Sequence, residues 1–414
     1  MLVKIEDNIV KDSSINEFIV CGDPGCDGYG AESLAVFENV LKKKSDATFI
    51  VGDLVPIGEE QYYNIFVNLV NELAENPVYC AVGNHDVGKY EQYVGNKNYS
   101  LTFQDSLFII LDNSGRYFVK ETLQFLKNSL EKGEKCNHIF IFFHIPPPNP
   151  YVENSFSETS WNQLKEVMEP YKNKIEYLFS GHVHYALDYK KDGYRIIISG
   201  GAGGQLDEIN CTTVKKATYH MYCCKRVGSR WELELLDASL ENSTPRSGSL
   251  TTEKLNESIL SECYASFNYG LYSEIAKTNK LWGVEKLLYA LSLSENKHAQ
   301  TMVIANNKKK TLIDALKLAL VEEKLEVEEK YKQLMTLASK EKEWVANACY
   351  YSVRIAENTH AQLLTKAIES LENGKDIEIV DYYVCESCGF LHASTSELKR
   401  CPGCGADKFK LQKI

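Results

Sequence analysis

Four cysteines near the end of the chain have the spacing of a metal site. Cys385 and Cys388 form one Cys-x-x-Cys pair, and Cys401 and Cys404 form a second pair after twelve intervening residues. Four thiolates in a tetrahedral arrangement bind zinc or iron. Spacing alone favours a zinc site that stabilises a small tail, so the metal depends on the residues that precede it.

Two further motifs combine a glutamate with a histidine. Glu295-Asn-Lys-His298 and Glu357-Asn-Thr-His360 both lie in a stretch with almost no glycine or proline, where helices are expected. Residues at i and i+3 share one face of a helix, so both side chains of each motif can reach one metal ion. Two such motifs, with single glutamates from two other helices, make up the di-iron site of a four-helix bundle.

The single glutamates are present at matching positions. Glu262 lies on the expected first helix, and Glu323 with Glu326 on the third. Glu295 follows Glu262 by 33 residues, and Glu357 follows Glu326 by 31. If each helix pair turns near its midpoint, the partners return to the same height, which indicates a duplicated metal-binding hairpin.

Polar clusters in the first half of the chain each follow an apolar run that reads as a buried strand. Open α/β sheets place ligands at the carboxyl ends of such strands. The ordered clusters are Asp53, Gly83-Asn-His-Asp86, His144 and Gly181-His-Val-His184.

The elements that would position these residues divide the chain into three parts. Short β-rich runs alternate with amphipathic segments up to residue 237, which predicts a layered α/β domain. A linker rich in Ser, Thr and Asn is predicted at 238–251. A four-helix bundle is expected at 252–374, with helices at 252–279, 283–306, 311–340 and 343–373. A small metal-bound β domain is expected at 375–414.

Composition limits the possible partners and compartments. A net charge of −11 argues against a nucleic-acid partner, because proteins that bind the phosphate backbone normally present a basic face. The first residues lack the layout of a signal peptide, and no run approaches 18 apolar residues. A cytoplasmic protein without membrane contact is expected. Of the thirteen cysteines, most of the nine outside the two Cys-x-x-Cys pairs are expected to be buried apolar residues.

The C-terminal motifs resemble those of rubrerythrin, a ferritin-like di-iron domain followed by a rubredoxin domain. The resemblance covers residues 252–414. The motifs on which the resemblance rests are Cys401-Pro-Gly-Cys404, Tyr382-Tyr383-Val384, Glu262-Cys-Tyr-Ala-Ser-Phe-Asn-Tyr269, and Glu323-Lys-Leu-Glu326 with Tyr331. The resemblance implies iron in the four-cysteine site, and it implies two irons held by Glu262, Glu295, His298, Glu323, Glu326, Glu357 and His360.

The same resemblance implies an activity and its partners. Glu295 and Glu357 would bridge the irons, while His298 and Glu326 would exchange as ligands when the redox state changes. Hydrogen peroxide would be reduced at the iron pair, and electrons would arrive one at a time from the four-cysteine iron. The expected partners are an NAD(P)H-linked electron donor protein and a second copy of the chain in a head-to-tail homodimer.

The clusters of the first half resemble the calcineurin-like metallophosphoesterase family over residues 15–237. The resemblance implies two divalent metals (Mn, Fe or Zn) and an unidentified phosphoester substrate. His85 would protonate the leaving group, and Asp86 would orient its imidazole. The implied metal ligands are the bridging Asp53, then Asn84, His144 and His182 for one metal, and Asp23 and His184 for the other.

One position departs from the family pattern. The family usually has Asp-x-His at its first motif, but here Gly25 follows Asp23-Pro24 and cannot bind a metal. A tyrosine that compensates in purple acid phosphatases is replaced by Pro56. Cys26 or Asp27 could substitute, or this metal site binds weakly.

Two functional hypotheses follow. The first is a bifunctional enzyme, a dinuclear-metal phosphoesterase fused to a rubrerythrin-type peroxidase. The alternative is an iron-binding or electron-transfer module joined to a catalytically weakened phosphoesterase-like binding domain.

Overall fold

A computed structural model describes residues 1–6, 9–11, 14–26, 30–207, 209, 217–239, 250–306, 311–394, 399–407 and 411–413. The chain separates into two compact units, Met1–Lys309 and Lys310–Ile414. No described helix has the length and hydropathy needed to span a membrane. Asp27, a proposed substitute ligand, lies outside the described residues, as does most of the predicted linker.

The first unit contains twelve strands and seven α-helices among its described residues. The strands are Ile9–Lys11 (β1), Glu17–Cys21 (β2), Ala47–Ile50 (β3), Val78–Cys80 (β4), Tyr99–Phe103 (β5), Ser106–Ile110 (β6), His138–Phe142 (β7), Ile175–Ser180 (β8), Ala186–Lys191 (β9), Tyr194–Ser199 (β10), His220–Val227 (β11) and Arg230–Asp237 (β12). The helices are Ala31–Leu41 (α1), Glu60–Leu73 (α2), Tyr90–Tyr93 (α3), Lys120–Lys132 (α4), Glu158–Met168 (α5), Leu250–Thr278 (α6) and Trp282–Ala305 (α7).

Two sheets pack face to face in this unit. One has the order β1-β5-β6-β7-β8-β10-β9, and the other has the order β12-β11-β2-β3-β4. Buried aromatic side chains fill the space between them: the ring centroid of Phe18 on β2 lies 5.1 Å from that of Phe140 on β7, and Phe49 on β3 lies 4.6 Å from Phe142. Such strands are buried on both faces, which explains their nearly continuous apolar sequence.

Helices cover the outer faces of both sheets. Buried side chains of α1 and α2, including Phe37 and Phe66, join the core outside the five-stranded sheet. Those of α4 and α5, including Leu126 and Trp161, join the core outside the seven-stranded sheet. The predicted layered α/β domain is therefore confirmed.

Parallel pairing brings the carboxyl ends of the central strands to one edge. β2, β3 and β4 run parallel in one sheet, and β6, β7, β8 and β10 run parallel in the other. Loops that follow these strands therefore converge, and the predicted polar clusters lie on them.

α6 and α7 form a long antiparallel hairpin. Ser266 on α6 donates a hydrogen bond to the carbonyl of Ser292 on α7 at 2.8 Å, and Ser292 returns one to the carbonyl of Ser266 at the same distance. Ile304 near the end of α7 packs against the core outside the five-stranded sheet.

The second unit combines helices with a small sheet. Its helices are Leu312–Leu325 (α8), Tyr331–Glu341 (α9) and Trp344–Glu372 (α10), and its strands are Asp381–Cys385 (β13), Leu391–Ser394 (β14) and Leu411–Lys413 (β15). A π-helical turn at Glu326–Lys330 joins α8 to α9. The sheet has the order β14-β13-β15, and Cys385, Phe390 and Cys401 form its small core.

The helix bounds agree closely with those predicted. The predicted break near residue 341 is confirmed, because α9 ends at Glu341 and Lys342 adopts a left-handed φ of 60°. The multidomain class, an α/β sandwich followed by helices and a small β domain with a four-cysteine cluster, is also confirmed. The compact units do not follow the predicted domains, since the first unit includes α6 and α7; the boundaries at 237, 252 and 375 stay predictions.

Candidate metal centres

A buried cluster lies where strands from both sheets end. Three possible ligand atoms lie within 4.8 Å of one another, one each from Asp53, His144 and His182. Nε2 of His144 lies 3.2 Å from Asp53 Oδ2, 3.1 Å from Asn84 Oδ1 and 3.2 Å from Nδ1 of His182. These four residues are those predicted for one metal, and the structure brings them together.

The other predicted pair, Asp23 and His184, lies beside this cluster. Nε2 of His184 is 3.5 Å from Asp23 Oδ1, and both Asp23 oxygens accept the backbone N–H of His182, at 3.0 and 2.9 Å. The Gly25 N–H donates to the carbonyl of Asp53 at 3.0 Å. Cys26 is fully buried in the hydrophobic core outside the five-stranded sheet, so its side chain serves packing.

The backbone is strained where these ligands are presented. Asp23, Asp53 and His182 have φ values of 60°, 51° and 67°. Side chains other than glycine rarely adopt this left-handed region, and such residues cluster at functional sites. Close approach also requires glycine nearby: a Cβ on Gly83 would lie 2.1 Å from Asp53 Oδ1.

Burial and mutual contact set the charges of the ligands. Burial lowers the pKa of His144, but contact with Asp53 outweighs it and raises the pKa to about 9. The reciprocal contact lowers the pKa of Asp53 to about 2, although burial acts in the opposite direction. Burial and the nearby His144 lower the pKa of His182 to about 3. Burial also acts to lower the pKa of His184, but contact with Asp23 outweighs it and raises the pKa to about 9. Asp53 is thus ionised and paired with a protonated His144 in the absence of metal.

The predicted contact between Asp86 and the His85 ring is corrected by the structure. Nδ1 of His85 lies 2.8 Å from the carbonyl oxygen of Pro56, which orients the imidazole. The carboxylate of Asp86 is fully buried and accepts three backbone N–H groups, from Leu54 (2.8 Å), Val55 (3.2 Å) and Gly83 (2.7 Å). Asp86 therefore fixes the loops that carry Asp53 and Asn84.

Sequence reasoning missed two residues on the loop after β6. Oδ1 of buried Asn113 accepts the N–H groups of His144 and Ile145, each at 3.0 Å, and its amide donates to the carbonyl of Ile145 at 2.7 Å. Nη2 of Arg116 lies 3.3 Å from Nε2 of His182. The signal was the same as for the other clusters, because Asp112-Asn113-Ser114 directly follows an apolar strand.

A second ligand cluster lies on the α6–α7 hairpin. Atoms of Glu262, Glu295 and His298 lie within 4.8 Å of one another. Nδ1 of His298 is 2.8 Å from Glu295 and 3.4 Å from Glu262. The hydrogen bond to Glu295 raises the pKa of His298 above its usual value.

A third cluster, on α8 and α10, has the same composition. Glu323, Glu357 and His360 lie within 4.8 Å of one another, with Nδ1 of His360 2.7 Å from Glu357. Burial, with Glu357 next in importance, raises the pKa of Glu323 to about 8. Oε2 of Glu323 is buried without a hydrogen-bond partner among the described residues, so the cluster fits a cation that would satisfy it.

Glu326 has a different environment from the other predicted ligands. It lies at the start of the π-helical turn, and its carboxylate is 2.5 Å from the ammonium of Lys330. π-helical turns inside α-helices occur frequently at functional sites. Glu326 is not one of the three residues whose ligand atoms meet in the cluster.

The four cysteines converge as predicted. One sulfur from each of Cys385, Cys388, Cys401 and Cys404 lies within 4.8 Å of the others. Burial raises the pKa of Cys385, but the backbone N–H groups of Ser387 and Cys388 outweigh it and lower the pKa to about 7. Burial raises the pKa of Cys388 to about 12 and also raises the pKa of Cys401 in the absence of metal. A thiolate is the form that binds a metal. The set of four sulfurs therefore fits zinc or iron.

Comparison with known proteins finds that the chain is similar to two classes of protein. Residues 17–186 match the family model described as calcineurin-like phosphoesterase. Rubrerythrin-2 of Clostridium acetobutylicum is 28% identical over 177 residues, which cover 39% of this chain and 96% of that protein. The resemblance to both families that the sequence indicated is confirmed.

Two further similarities concern phosphoesterases. A probable glycerophosphodiester phosphodiesterase, GpdQ of Arcobacter nitrofigilis, is 27% identical over 164 residues, covering 35% of this chain and 59% of that protein. A dimetal phosphatase from Danio rerio is 11% identical, with a TM-score of 0.43, and the match covers 54% of this chain and 96% of that one.

Proposed function

We propose that the chain is a bifunctional enzyme, a dinuclear-metal phosphoesterase fused to a rubrerythrin-type peroxidase. The observation that supports it best is the presence, in one chain, of separate ligand clusters with different chemistry. The Asp/His/Asn cluster suits manganese, iron or zinc, the two Glu/Glu/His clusters suit iron, and the four thiolates suit iron.

In the phosphoesterase, two bound metals would polarise the phosphate and supply a hydroxide nucleophile. Asp53, Asn84, His144 and His182 would hold one metal, and Asp23 and His184 the other, with Asp53 shared. The chain's own contribution is to position the leaving group. His85 is exposed, and Pro56 fixes its Nδ1, so its Nε2 can carry a proton to the departing oxygen.

Hydrolysis of p-nitrophenyl phosphate and bis-p-nitrophenyl phosphate with Mn²⁺ tests this half. His144→Ala should abolish the activity and reduce manganese bound per chain. His138→Ala is the matched control, because His138 lies at the opposite end of the same strand and contacts Glu176. Equal loss in both variants would show that the effect comes from folding.

In the peroxidase, iron held by the glutamates and histidines of α6, α7, α8 and α10 would supply two electrons to hydrogen peroxide. The proposal that Glu262, Glu295, His298, Glu323, Glu326, Glu357 and His360 serve one iron pair rests on the resemblance to rubrerythrin. Cys385, Cys388, Cys401 and Cys404 would hold the iron through which electrons enter. Cys404 is exposed, which suits electron exchange with a protein donor.

Metal analysis and fast kinetics test this second half. About three irons per chain are expected after anaerobic purification, two for the bundle and one for the thiolates. After reduction, mixing with hydrogen peroxide in a stopped-flow spectrometer should reoxidise the protein faster than dioxygen does. Slower or equal reoxidation by peroxide would support the alternative, an iron-binding or electron-transfer module.

The alternative for the first half also has a specific basis. Gly25 has no side chain and Cys26 is packed in the core, so Asp23 and His184 would be left to hold the second metal together with Asp53. A domain that binds one metal and hydrolyses no phosphoester would be a weakened binding module. We further propose that an NAD(P)H-linked protein supplies the electrons. We also propose that the chain forms a homodimer, which sedimentation of the full chain tests.

A further inference from the structure

Arg116 is held at the edge of the phosphoesterase site by a constrained loop. Its backbone N–H donates to the carbonyl of Asn113 at 2.9 Å, and its φ is 67°, in the left-handed region. Its Nη2 donates to Oδ1 of Asn154 at 2.7 Å. The side chain is exposed, so the guanidinium can meet a ligand from solution.

The neighbour of this guanidinium is the outer nitrogen of a predicted metal ligand. His182 points Nδ1 into the site, 3.2 Å from Nε2 of His144, and its Nε2 lies 3.3 Å from Nη2 of Arg116. When Nδ1 binds a metal, Nε2 must carry the ring proton, because a ligating imidazole is neutral. That N–H usually donates to a carboxylate, a carbonyl or water.

Here the group facing that N–H is another donor. A guanidinium has five N–H donors and no acceptor, so it cannot receive the proton of His182. Two donors at this distance both need an acceptor, and one anionic oxygen would accept from both. Charge-assisted hydrogen bonds of this kind are stronger than neutral ones.

We propose that Arg116 and Nε2–H of His182 form a subsite for a second anionic group of the substrate, a phosphate or a carboxylate beside the phosphoryl group at the metals. The subsite rests on the proposed phosphoesterase function. It gives the enzyme a preference for phosphoesters whose remaining part is itself anionic.

Binding of non-hydrolysable probes to the manganese-loaded full chain tests the subsite by calorimetry. Propylphosphonate and 3-phosphonopropanoate have the same length and differ by one carboxylate, and ethane-1,2-diphosphonate replaces that carboxylate with a phosphonate. The wild type should bind both doubly anionic probes more tightly than propylphosphonate. Arg116→Ala should weaken them roughly 10-fold or more and leave propylphosphonate within about twofold, as expected for the loss of a charged hydrogen bond.

Two further variants separate charge from folding. Arg116→Lys should restore part of the affinity, and Arg230→Ala, an exposed arginine on β12, should change nothing. Manganese content and thermal unfolding are compared for all variants. If 3-phosphonopropanoate alone shows the preference, the second group is a carboxylate; if the diphosphonate alone shows it, the group is a phosphate.

Other outcomes overturn the subsite. Equal affinities of wild type and Arg116→Ala for all three probes, or equal weakening of all three, would remove the subsite and leave the phosphoesterase intact. Failure of the wild type to bind manganese or any probe would instead overturn the proposed function together with the subsite.

Discussion

Replacing Asp86 by asparagine distinguishes a catalytic from a structural carboxylate. Asp86 is fully buried, and its two oxygens accept three backbone N–H groups. Asparagine has one acceptor oxygen. If that oxygen faces Leu54 and Val55, the new NH₂ faces the N–H of Gly83, and the hydrogen bond from Gly83 is lost. The buried N–H left unpaired costs about 1–3 kcal/mol, so Asp86→Asn should destabilise the domain by about that amount.

Urea unfolding followed by tryptophan fluorescence measures this loss. Trp161 and Trp231 are buried in the α/β sandwich, and replacing Trp282 and Trp344 by phenylalanine restricts the signal to it. With a slope of about 3 kcal/mol per molar urea, the midpoint should fall by roughly 0.3–1 M.

The matched control is Asp188→Asn, because Asp188 forms a surface ion pair with Arg195, and such pairs contribute at most about 1 kcal/mol. An unchanged midpoint for Asp86→Asn with a large fall in kcat would refute the structural interpretation. It would restore the sequence-based prediction that Asp86 acts through His85.

Four further predictions concern the metal sites with and without bound metal. The affinity of the metal-free protein for manganese should rise from pH 6.5 to about 9, because Asp53 keeps His144 protonated up to a pKa of about 9 and a protonated imidazole binds no metal. Competition titration at several pH values checks this, and an affinity that does not depend on pH would contradict it. The raised pKa of His144 also stabilises the metal-free fold: this stabilisation is complete below pH 6.5 and is lost as the pH rises through about 9. Protein from which a chelator has removed the metal should therefore unfold at a lower urea concentration above pH 9. Gly83→Ala should abolish manganese binding, because its Cβ would displace Asp53, as metal analysis would show. Cys401→Ser should remove one iron per chain and the thiolate absorption, with exposed Cys349→Ser unchanged; retention of the absorption would exclude a four-thiolate iron.

The central strands and their polar ends were predictable because of local rules. A strand buried on both faces is apolar throughout, so runs such as His138–Phe143 stand out. The residue that ends the run, here His144, lies where parallel strands place ligands. Strands at sheet edges, such as β9 and β12, alternate with exposed residues and were not predicted.

The partners of buried polar groups could not be predicted in the same way. The sequence places Asp86 next to His85, but neighbours in a chain need not share a hydrogen bond. The three N–H groups that Asp86 accepts come from two loops, and only the folded structure brings these loops together. Arg116 contacts His182 across 66 residues, a distance at which spacing carries no information.

The ligand clusters differ in how the protein holds them. Asp53, Asp23 and His144 are buried and fixed by backbone hydrogen bonds from or to neighbouring loops. On α6 and α7, by contrast, Glu262, Glu295 and His298 contact chiefly one another, and half of the His298 side chain is exposed. Because fixed ligands lose little freedom on binding whereas mobile ones can exchange, the first arrangement suits metals that keep their geometry through hydrolysis. The second would suit the proposed redox cycle, in which carboxylates would move as the charge on the bound metals changes.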